Sequence, residues 1–217
     1  MTTTDTAPQP SVLARTGSWI LRALRVELGI YASIGRAVAR RPALPPGASG
    51  HSYHRPVLTI LIVFIVLSAV EIPVIDLIVH RWPLVRIPLL VLGIWGVTWM
   101  LGLLCAFLMR PHAVGPEGVR ARNGLEIDVP LSWDDIASVE IARRVDEERS
   151  PRIADEDGLR TLSLRIADET NILIALERPT PIRLPGLPPK GGEHAVGAVR
   201  IWVDDPQAFM RAVARHI

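Results

Sequence analysis

The sequence has one cysteine, Cys105, and one lysine, Lys190, among 217 residues. A single cysteine excludes a disulfide framework within the chain. The lysine has no GxxxxGK spacing around it, so the loop that cradles nucleotide phosphates is lacking. The sequence also contains no Gly-x-Ser-x-Gly elbow and no HExxH pair. We therefore expect no catalytic residues, no cofactor and no metal site, and the sequence predicts a protein that is not an enzyme.

Charge is distributed unevenly along the chain. Residues 1–56 hold seven arginines against two acids, residues 57–109 hold two against two, and residues 110–217 hold fifteen basic residues against eighteen acids. Three regions with different surroundings are therefore predicted. The pattern excludes a uniformly solvated globule and a generally basic nucleic-acid-binding protein, so no nucleic-acid partner is expected.

Two long apolar segments occupy the middle of the chain, residues 57–79 and residues 87–109, with 23 residues each. Each would form a helix about 34 Å long, enough to cross a hydrocarbon core of about 30 Å. The short link between them predicts an antiparallel transmembrane hairpin, because each segment must satisfy its own backbone hydrogen bonds in lipid. A buried hairpin in a soluble protein is disfavoured, since the rest of the chain is too small to cover two helices that are apolar all round.

Arginines indicate the orientation of this hairpin. The link contains Arg81 and Arg86, whereas more arginines flank the outer ends of the two segments: Arg36, Arg40, Arg41, Arg55, Arg110, Arg120 and Arg122. This excess predicts a multi-pass protein of the cell membrane with both termini cytoplasmic. Residues 1–10 are polar and are expected to be a disordered tail without a cleavable signal peptide.

Three polar side chains fall inside the predicted hairpin: Glu71, Asp76 and Arg86. Antiparallel pairing places Asp76 opposite Arg86, which predicts an ion pair. Glu71 lies about 5 Å beyond the midpoint of its helix, where a carboxylate costs on the order of 3 kcal/mol. Either it is a neutral group bonded to carbonyls freed around Pro73, or it serves a proton relay or a contact with a partner helix.

Residues 11–41 predict an amphipathic helix with a stripe of arginines. At 100° per residue, five arginines share an arc of about 80°: Arg15, Arg22, Arg25, Arg36 and Arg40. Glu27 is the one charged residue on the apolar side. Such a helix suits the headgroup region, where each arginine contributes about 1 kcal/mol of attraction to an anionic cytoplasmic leaflet. Alternatively, the stripe faces the net acidic C-terminal domain or a partner chain. A linker, residues 42–56, follows.

The C-terminal half changes to an alternating pattern. Residues 125–131, 136–144, 162–166, 172–176 and 199–203 are predicted strands of an antiparallel sheet. Asp204-Asp205-Pro206 predicts the start of a terminal helix. The charged segment 145–160 and the proline- and glycine-rich segment 177–197 are predicted loops. This order favours a curved sheet or partly open barrel closed by the helix.

Residues 111–217 resemble the bacterial pleckstrin-homology-like domain. The matching stretches are an early turn (GPEGV, 115–119), a segment leading into a strand (PLSWDDI, 130–136) and the closing helix (DDPQAF, 204–209). A membrane hairpin before such a domain looks like a class of actinobacterial membrane proteins. The resemblance implies an α+β fold but no particular function. Phosphoinositide binding is not implied, because Glu117 stands in the turn where eukaryotic relatives that bind these lipids use Lys and Arg.

Aromatic residues near the ends of these regions have simple interpretations. His51, Tyr53 and His54 precede the first apolar segment, where such groups commonly anchor a protein at the membrane interface. Trp133 is interpreted as a core-packing aromatic, with ligand stacking as the alternative.

These patterns together predict an integral membrane protein in which the hairpin and the arginine helix hold a non-catalytic domain at the bilayer, where it binds or organises another protein. A subunit of a membrane enzyme or transporter that uses Glu71 is the alternative. Sensing of anionic lipid by the arginine stripe is a third hypothesis.

Overall fold

The computed structural model describes residues 12–145, 150–156, 158–186 and 191–217, with side chains from residue 20 onward. The predicted N-terminal tail lies outside the described residues. Within them the fold is α+β. Its α-helices are α1 (Val12–Val38), α2 (Arg55–Val79), α3 (Pro83–Met109) and α4 (Pro206–Val213).

Helices α2 and α3 form an antiparallel pair, and both are long and apolar enough to cross a membrane. Each begins slightly earlier than its apolar segment, because Pro56 and Pro83 occupy first-turn positions where a proline costs no hydrogen bond. Pro73 and Pro88 lie inside the helices. Most large apolar side chains of both helices are exposed.

Helix α1 packs against α3 and ends at Val38. The prediction of helix up to residue 41 was wrong at this end. Arg40 has a left-handed φ of 52°, and Arg41 precedes Pro42, a position that disfavours helical backbone. Arg40 therefore lies outside the helix that was expected to carry it.

The first sheet has the strand order β1-β2-β3-β4, with every neighbouring pair antiparallel. Its strands are β1 (Ser49–His51), β2 (His112–Gly115), β3 (Gly118–Asn123) and β4 (Ile127–Ser132). Strand β1 comes from the segment predicted to be a linker. It pairs with the strand that follows α3, Ser49 opposite Val114 and His51 opposite His112. The two ends of the hairpin are thus joined by a sheet.

The second sheet has the order β5-β8-β9-β7-β6. Its strands are β5 (Ile136–Arg144), β6 (Arg152–Glu156), β7 (Leu159–Leu164), β8 (Thr170–Leu184) and β9 (Gly192–Ile201). The expectation of a purely antiparallel sheet was wrong, because β7 and β9 are parallel.

Both predicted loops of this half contain strand. The segment 145–160 includes β6, and the segment 177–197 includes the second half of β8 and the first half of β9. A register shift between Ala175 and Thr180 interrupts the alternation in β8. Beyond it Ile182 and Leu184 are buried again. The bulge therefore divides the alternating sequence pattern of one long strand into two short patterns.

The two sheets enclose one apolar core, which α4 covers with the fully buried Phe209. The described strands form two sheets and no closed barrel. Trp133 packs against the core, as the core-packing interpretation predicted. Its Nε1 donates to the carbonyl of Gly115 at 2.9 Å, and its ring stacks on His216 with centroids 5.4 Å apart.

Candidate functional site

The inner ends of α2 and α3 meet the first sheet in a buried polar cluster, which we call the junction (Tyr53, Arg110, His112, Arg122 and Asp128). Arg122 lies at its centre with 5% of its surface exposed. Its Nη1 donates to the carbonyl of Ala43 and, at 3.2 Å, to that of Pro111. One guanidinium therefore ties the segment before β1 to the end of α3.

Asp128 is the shared acceptor of the junction. Its carboxylate forms salt bridges with Arg120 at 3.1 Å and with Arg122 at 3.2 Å. The guanidinium of Arg110 lies 3.9 Å away. Arg110 also donates to the carbonyl of Leu125. Burial lowers the pKa of Arg110, although the negative charge of Asp128 opposes this effect. Such a network stabilises the junction only while each buried charge keeps its partner.

His112 is held in its neutral form by its neighbours. Its Nδ1 accepts the backbone N–H of Arg122 at 2.9 Å, so Nε2 carries the proton and donates to the carbonyl of Trp202 at 3.0 Å. Burial lowers the pKa of His112 to about 4. The imidazole therefore acts as a neutral connector between the two sheets rather than as an acid or base near neutral pH.

Tyr53 is fully buried, so the expectation of an interfacial anchor was wrong for this residue. Its ring lies 5.8 Å from that of Phe107 in α3 and 4.6 Å from that of His112. The backbone N–H of Gly124 donates to its hydroxyl at 3.0 Å. Burial raises the pKa of Tyr53 to about 12. The tyrosine thus packs between the hairpin and the sheet domain.

The arginines of the α1 stripe do not share the same surroundings. Arg22 binds Glu126 through two hydrogen bonds of 2.6 and 2.8 Å, so this part of the stripe faces the sheet domain. Arg25 and Arg36 are exposed. The side chain of Arg15 lies outside the described residues. The stripe therefore does not act as one surface within the chain.

Glu27, the exception on the apolar side of α1, has a structural explanation. Its Oε1 accepts hydrogen bonds from Trp95 Nε1 at 3.0 Å and from the Tyr31 hydroxyl at 2.9 Å. These bonds lower the pKa of Glu27, the bond from Trp95 being the larger cause. A charged residue on this side therefore fixes α1 to α3.

Two of the polar residues in the hairpin form the ion pair that their positions predict. Arg86 donates to Asp76 at 2.5 and 3.0 Å. Glu71 lines an apolar groove of about 240 Å³ between α2 and α3, beside Gly93 and Gly96. The bond expected from Glu71 to carbonyls around Pro73 is absent, and within the described part of the chain its carboxyl has no hydrogen-bond partner.

A larger depression, which we call the outer groove, lies on the face of the first sheet that points away from the core. It measures about 1180 Å³. The segment before β1 and the middle of β8 form its sides, and its lining includes Pro45, Pro46, Gly115, Pro116, Glu117, Pro130, Ser132 and Pro181. Asp135 and Arg178 pair at 2.7 Å at its rim. The described residues contain no cluster of three or more potential metal ligands.

Sequence reasoning missed the junction. Arg120, Arg122 and Asp128 occupy alternate positions that a two-residue period assigns to solvent. They are partly or fully buried because the segment before β1 folds over that face of the sheet. A contact between residues so distant in sequence leaves no local pattern.

In comparisons with known proteins, the chain matches no protein-family model, no curated protein and no solved structure. Its function is therefore inferred from the contacts within the chain.

Proposed function

We propose that this protein is an integral membrane protein that crosses the bilayer twice, keeps both termini in the cytoplasm and holds a non-catalytic binding domain at the membrane surface. The observation that carries the proposal is the exposed apolar surface of α2 and α3. In their most apolar windows only 6% and 11% of the residues are buried. Exposed apolar surface of this extent supports a lipid environment for both helices.

The attachment of the sheet domain supports the second part of the proposal. Strand β1 precedes α2 and pairs with β2, which follows α3. Ala43 donates its N–H to the carbonyl of Met109 at 2.8 Å, and Asp204 donates its N–H to that of Ser52 at 2.8 Å. These contacts fix the orientation of the domain relative to the helices, so its binding surfaces keep a constant relation to the bilayer.

The resemblance to a pleckstrin-homology-like domain belongs to this proposal. It is supported by the hairpin turn at residues 115–118, the short helical turn Trp133–Asp135 before β5 and the capped terminal helix α4. Fold resemblance alone names no ligand.

The outer groove is the surface where we propose that a protein partner binds. It is bordered by β4, which is an edge strand, and lined by several prolines. An extended polypeptide segment fits beside an edge strand, because the strand offers unpaired backbone N–H and C=O groups. Confinement to the membrane would raise the effective concentration of a partner that is also membrane-bound.

Photocrosslinking in cells tests the binding surface. A photoreactive amino acid replaces Glu117, which is exposed in the outer groove, or Glu140, which is exposed on β5 outside it. Both changes remove one negative charge, so they are matched. We expect a defined adduct with a protein partner from position 117 only. Adducts of equal yield from both positions, or no adduct from position 117, would reject the groove as the binding surface.

Cysteine labelling tests the topology, because Cys105 is the only native thiol. In a Cys105→Ser background, Arg81→Cys marks the turn between the helices and Arg215→Cys marks the C-terminus. A membrane-impermeant maleimide should label position 81 in intact cells and position 215 only after permeabilisation. The reverse pattern, or equal labelling of both positions, contradicts the proposed topology.

A second candidate function is favoured by Glu71, which lies in the groove between α2 and α3 without a partner in the described residues. A subunit of a membrane enzyme or transporter would use such a carboxyl to receive and release protons. Glu71→Gln should then abolish a proton-dependent phenotype while the protein level stays unchanged. Ser68→Ala, in the same groove, is the control. If Glu71→Gln and Glu71→Leu both behave as wild type, this candidate is rejected.

A further inference from the structure

Helix α1 has an apolar face that remains largely exposed. This face consists of five side chains, each between 46% and 68% exposed: Ile20, Leu21, Leu24, Leu28 and Tyr31. At 100° per residue the five share an arc of about 100°. We call this arc the outer face of α1. It is wide enough to be the apolar side of an amphipathic helix, and α1 therefore has apolar surface beyond what its packing within the chain uses.

Two other sides of α1 contact the protein. Ile30 is fully buried against Gly102 of α3, and Ser33, on the same side of the helix, is also buried. Arg22, on the next part of the circumference, binds Glu126 of the sheet domain. On a helical wheel the outer face lies opposite these contacts. The outer face therefore points away from both α3 and the sheet domain.

The contacts with α3 set the level of the outer face along the hairpin. Gly102 lies about 10 Å along the helix axis from Met109, the end of α3. Trp95, whose indole binds Glu27, lies about 21 Å from that end. In the proposed two-pass topology this part of α3 is inside the hydrocarbon core. The outer face of α1 is therefore at the level of the acyl chains.

The outer face also continues an exposed surface of α3. Trp95 is about half exposed, and Val91 and Leu92, one turn away along α3, are exposed as well. Glu27 joins Trp95 to Tyr31 of the outer face, since its Oε1 accepts a hydrogen bond from each. The medium that surrounds α3 at this level therefore also surrounds the outer face of α1.

The charged side chains of α1 near this level are compatible with a lipid environment. Glu27 is hydrogen-bonded by two aromatic side chains, and Arg22 is hydrogen-bonded to Glu126, so neither charge is directed into lipid without a partner. Arg25 and Arg36 are exposed beyond the edge of the outer face that is nearer to the sheet domain. Long arginine side chains extend from such positions toward the headgroups while their methylene groups stay in apolar surroundings.

We propose that α1 is a third membrane-embedded helix, which enters the bilayer beside α3 and whose outer face contacts the acyl chains of phospholipids. The inference rests on the proposed two-pass topology. Removal of the outer face from water stabilises this position of the helix. Because Arg22 binds Glu126, an embedded α1 also holds the sheet domain against the membrane.

Spin-label accessibility of the full-length protein in phospholipid nanodiscs tests the proposal. In a Cys105→Ser background, Leu24→Cys or Leu28→Cys carries a nitroxide label on the outer face. The collision rates of the label with oxygen, which concentrates in lipid, and with a nickel chelate, which stays in water, are measured. Leu67→Cys on α2 is the lipid control and Ile141→Cys on β5 is the water control, and both are exposed apolar positions like the two tested.

The ratio of oxygen to nickel collisions distinguishes three surroundings of the outer face. We expect the ratio at positions 24 and 28 to be close to that at position 67 and well above that at position 141. A ratio close to that at position 141 would place the outer face in water and overturn the proposal. Low collision rates with both reagents would show that protein covers the face, for example a second copy of the chain, and would also overturn it.

Cysteine labelling at positions 81 and 215 separates this inference from the proposed function. If that labelling gives the expected topology while the labels at positions 24 and 28 report water or protein, the embedding of α1 alone fails. Labelling that contradicts the topology removes the proposed function together with the embedded helix.

Discussion

The carboxylate of Asp204 lies at the N-terminus of helix α2, where it accepts the backbone N–H of Arg55 at 3.2 Å through Oδ1 and at 3.3 Å through Oδ2. The two residues are 149 positions apart. His54, which occupies the capping position, makes no side-chain cap. A residue of the sheet domain therefore caps the first of the two long apolar helices, and its negative charge is favourable beside the positive end of the helix dipole.

The first prediction concerns this cap. Asp204→Ala should lower the free energy of unfolding by about 1 kcal/mol, because an unpaired N–H and an unopposed helix dipole remain. Hydrogen exchange at Arg55 should accelerate. Asp204→Asn should lower the free energy of unfolding by less, since the asparagine side chain keeps a hydrogen-bond acceptor. Asp205→Ala removes the cap of α4 at Ala208 instead, so it should leave exchange at Arg55 unchanged. Equal exchange at Arg55 in all variants would contradict the linkage.

The second prediction concerns pH. The pKa of His112 falls from 6.5 to about 4 on folding, so the neutral form is favoured in the folded protein. The contribution of neutral His112 to the free energy of unfolding is complete above pH 6.5. As the pH falls toward 4, this contribution is lost, and the free energy of unfolding decreases by about 3 kcal/mol. The midpoint of thermal unfolding in detergent should therefore decrease over this range.

Two variants isolate the contribution of this histidine. His112→Gln should flatten the dependence between pH 6.5 and pH 4, because it removes the group that gains a proton on unfolding. His216→Gln, at the exposed C-terminus, should keep the slope of wild type. If His112→Gln keeps that slope too, another group is responsible.

The third prediction concerns the packing of α1 on α3. A Cβ added at Gly102 would lie 2.2 Å from Ile30 Cγ2 and 3.1 Å from the Ile30 carbonyl oxygen. Gly102→Ala should therefore separate the helices and cost about 2 kcal/mol of unfolding free energy. Gly96→Ala, in the same helix, meets no atom within 4 Å and should be neutral. Ile30→Ala should partly rescue Gly102→Ala, and the absence of any rescue would argue against this contact.

The fourth prediction concerns Asp76 and Arg86. Arg86→Gln leaves the carboxylate of Asp76 in the helix pair without its cation. Asp76→Asn leaves the guanidinium of Arg86 without its anion. Each single change should lower the yield of membrane-inserted protein severalfold. The double variant should recover most of it, because two neutral side chains carry no unpaired charge into lipid. Yields that fall further in the double variant would show that the two residues act independently.

Local patterns were sufficient for several elements. Helices α2 and α3 follow from two long apolar stretches, and α4 follows from an acidic cap before a proline. Strand β4 follows from alternation over consecutive residues. In each case the determining information lies within one turn or one strand of the residue concerned.

Other elements could not be found in this way. Strand β1 has three residues, and only its pairing with β2 defines it. The side chains of strand β6 are partly exposed, which allows charged residues in it. Its charged sequence therefore resembles that of a loop. The parallel pairing of β7 with β9 depends on the path of the chain between them. Long-range pairing defines β1 and the contact of β7 with β9, whereas β6 pairs only with the adjacent strand β7.

The sequence by itself determined that two apolar helices precede a domain of alternating strands, because composition and periodicity act over short distances. Only the tertiary structure decided that Arg122 is buried and that Asp204 caps α2. Each of these facts depends on segments far apart in the chain. The free energy that stabilises these contacts comes from burial and hydrogen bonding between such segments. It is gained only when the segments pack together in the folded protein.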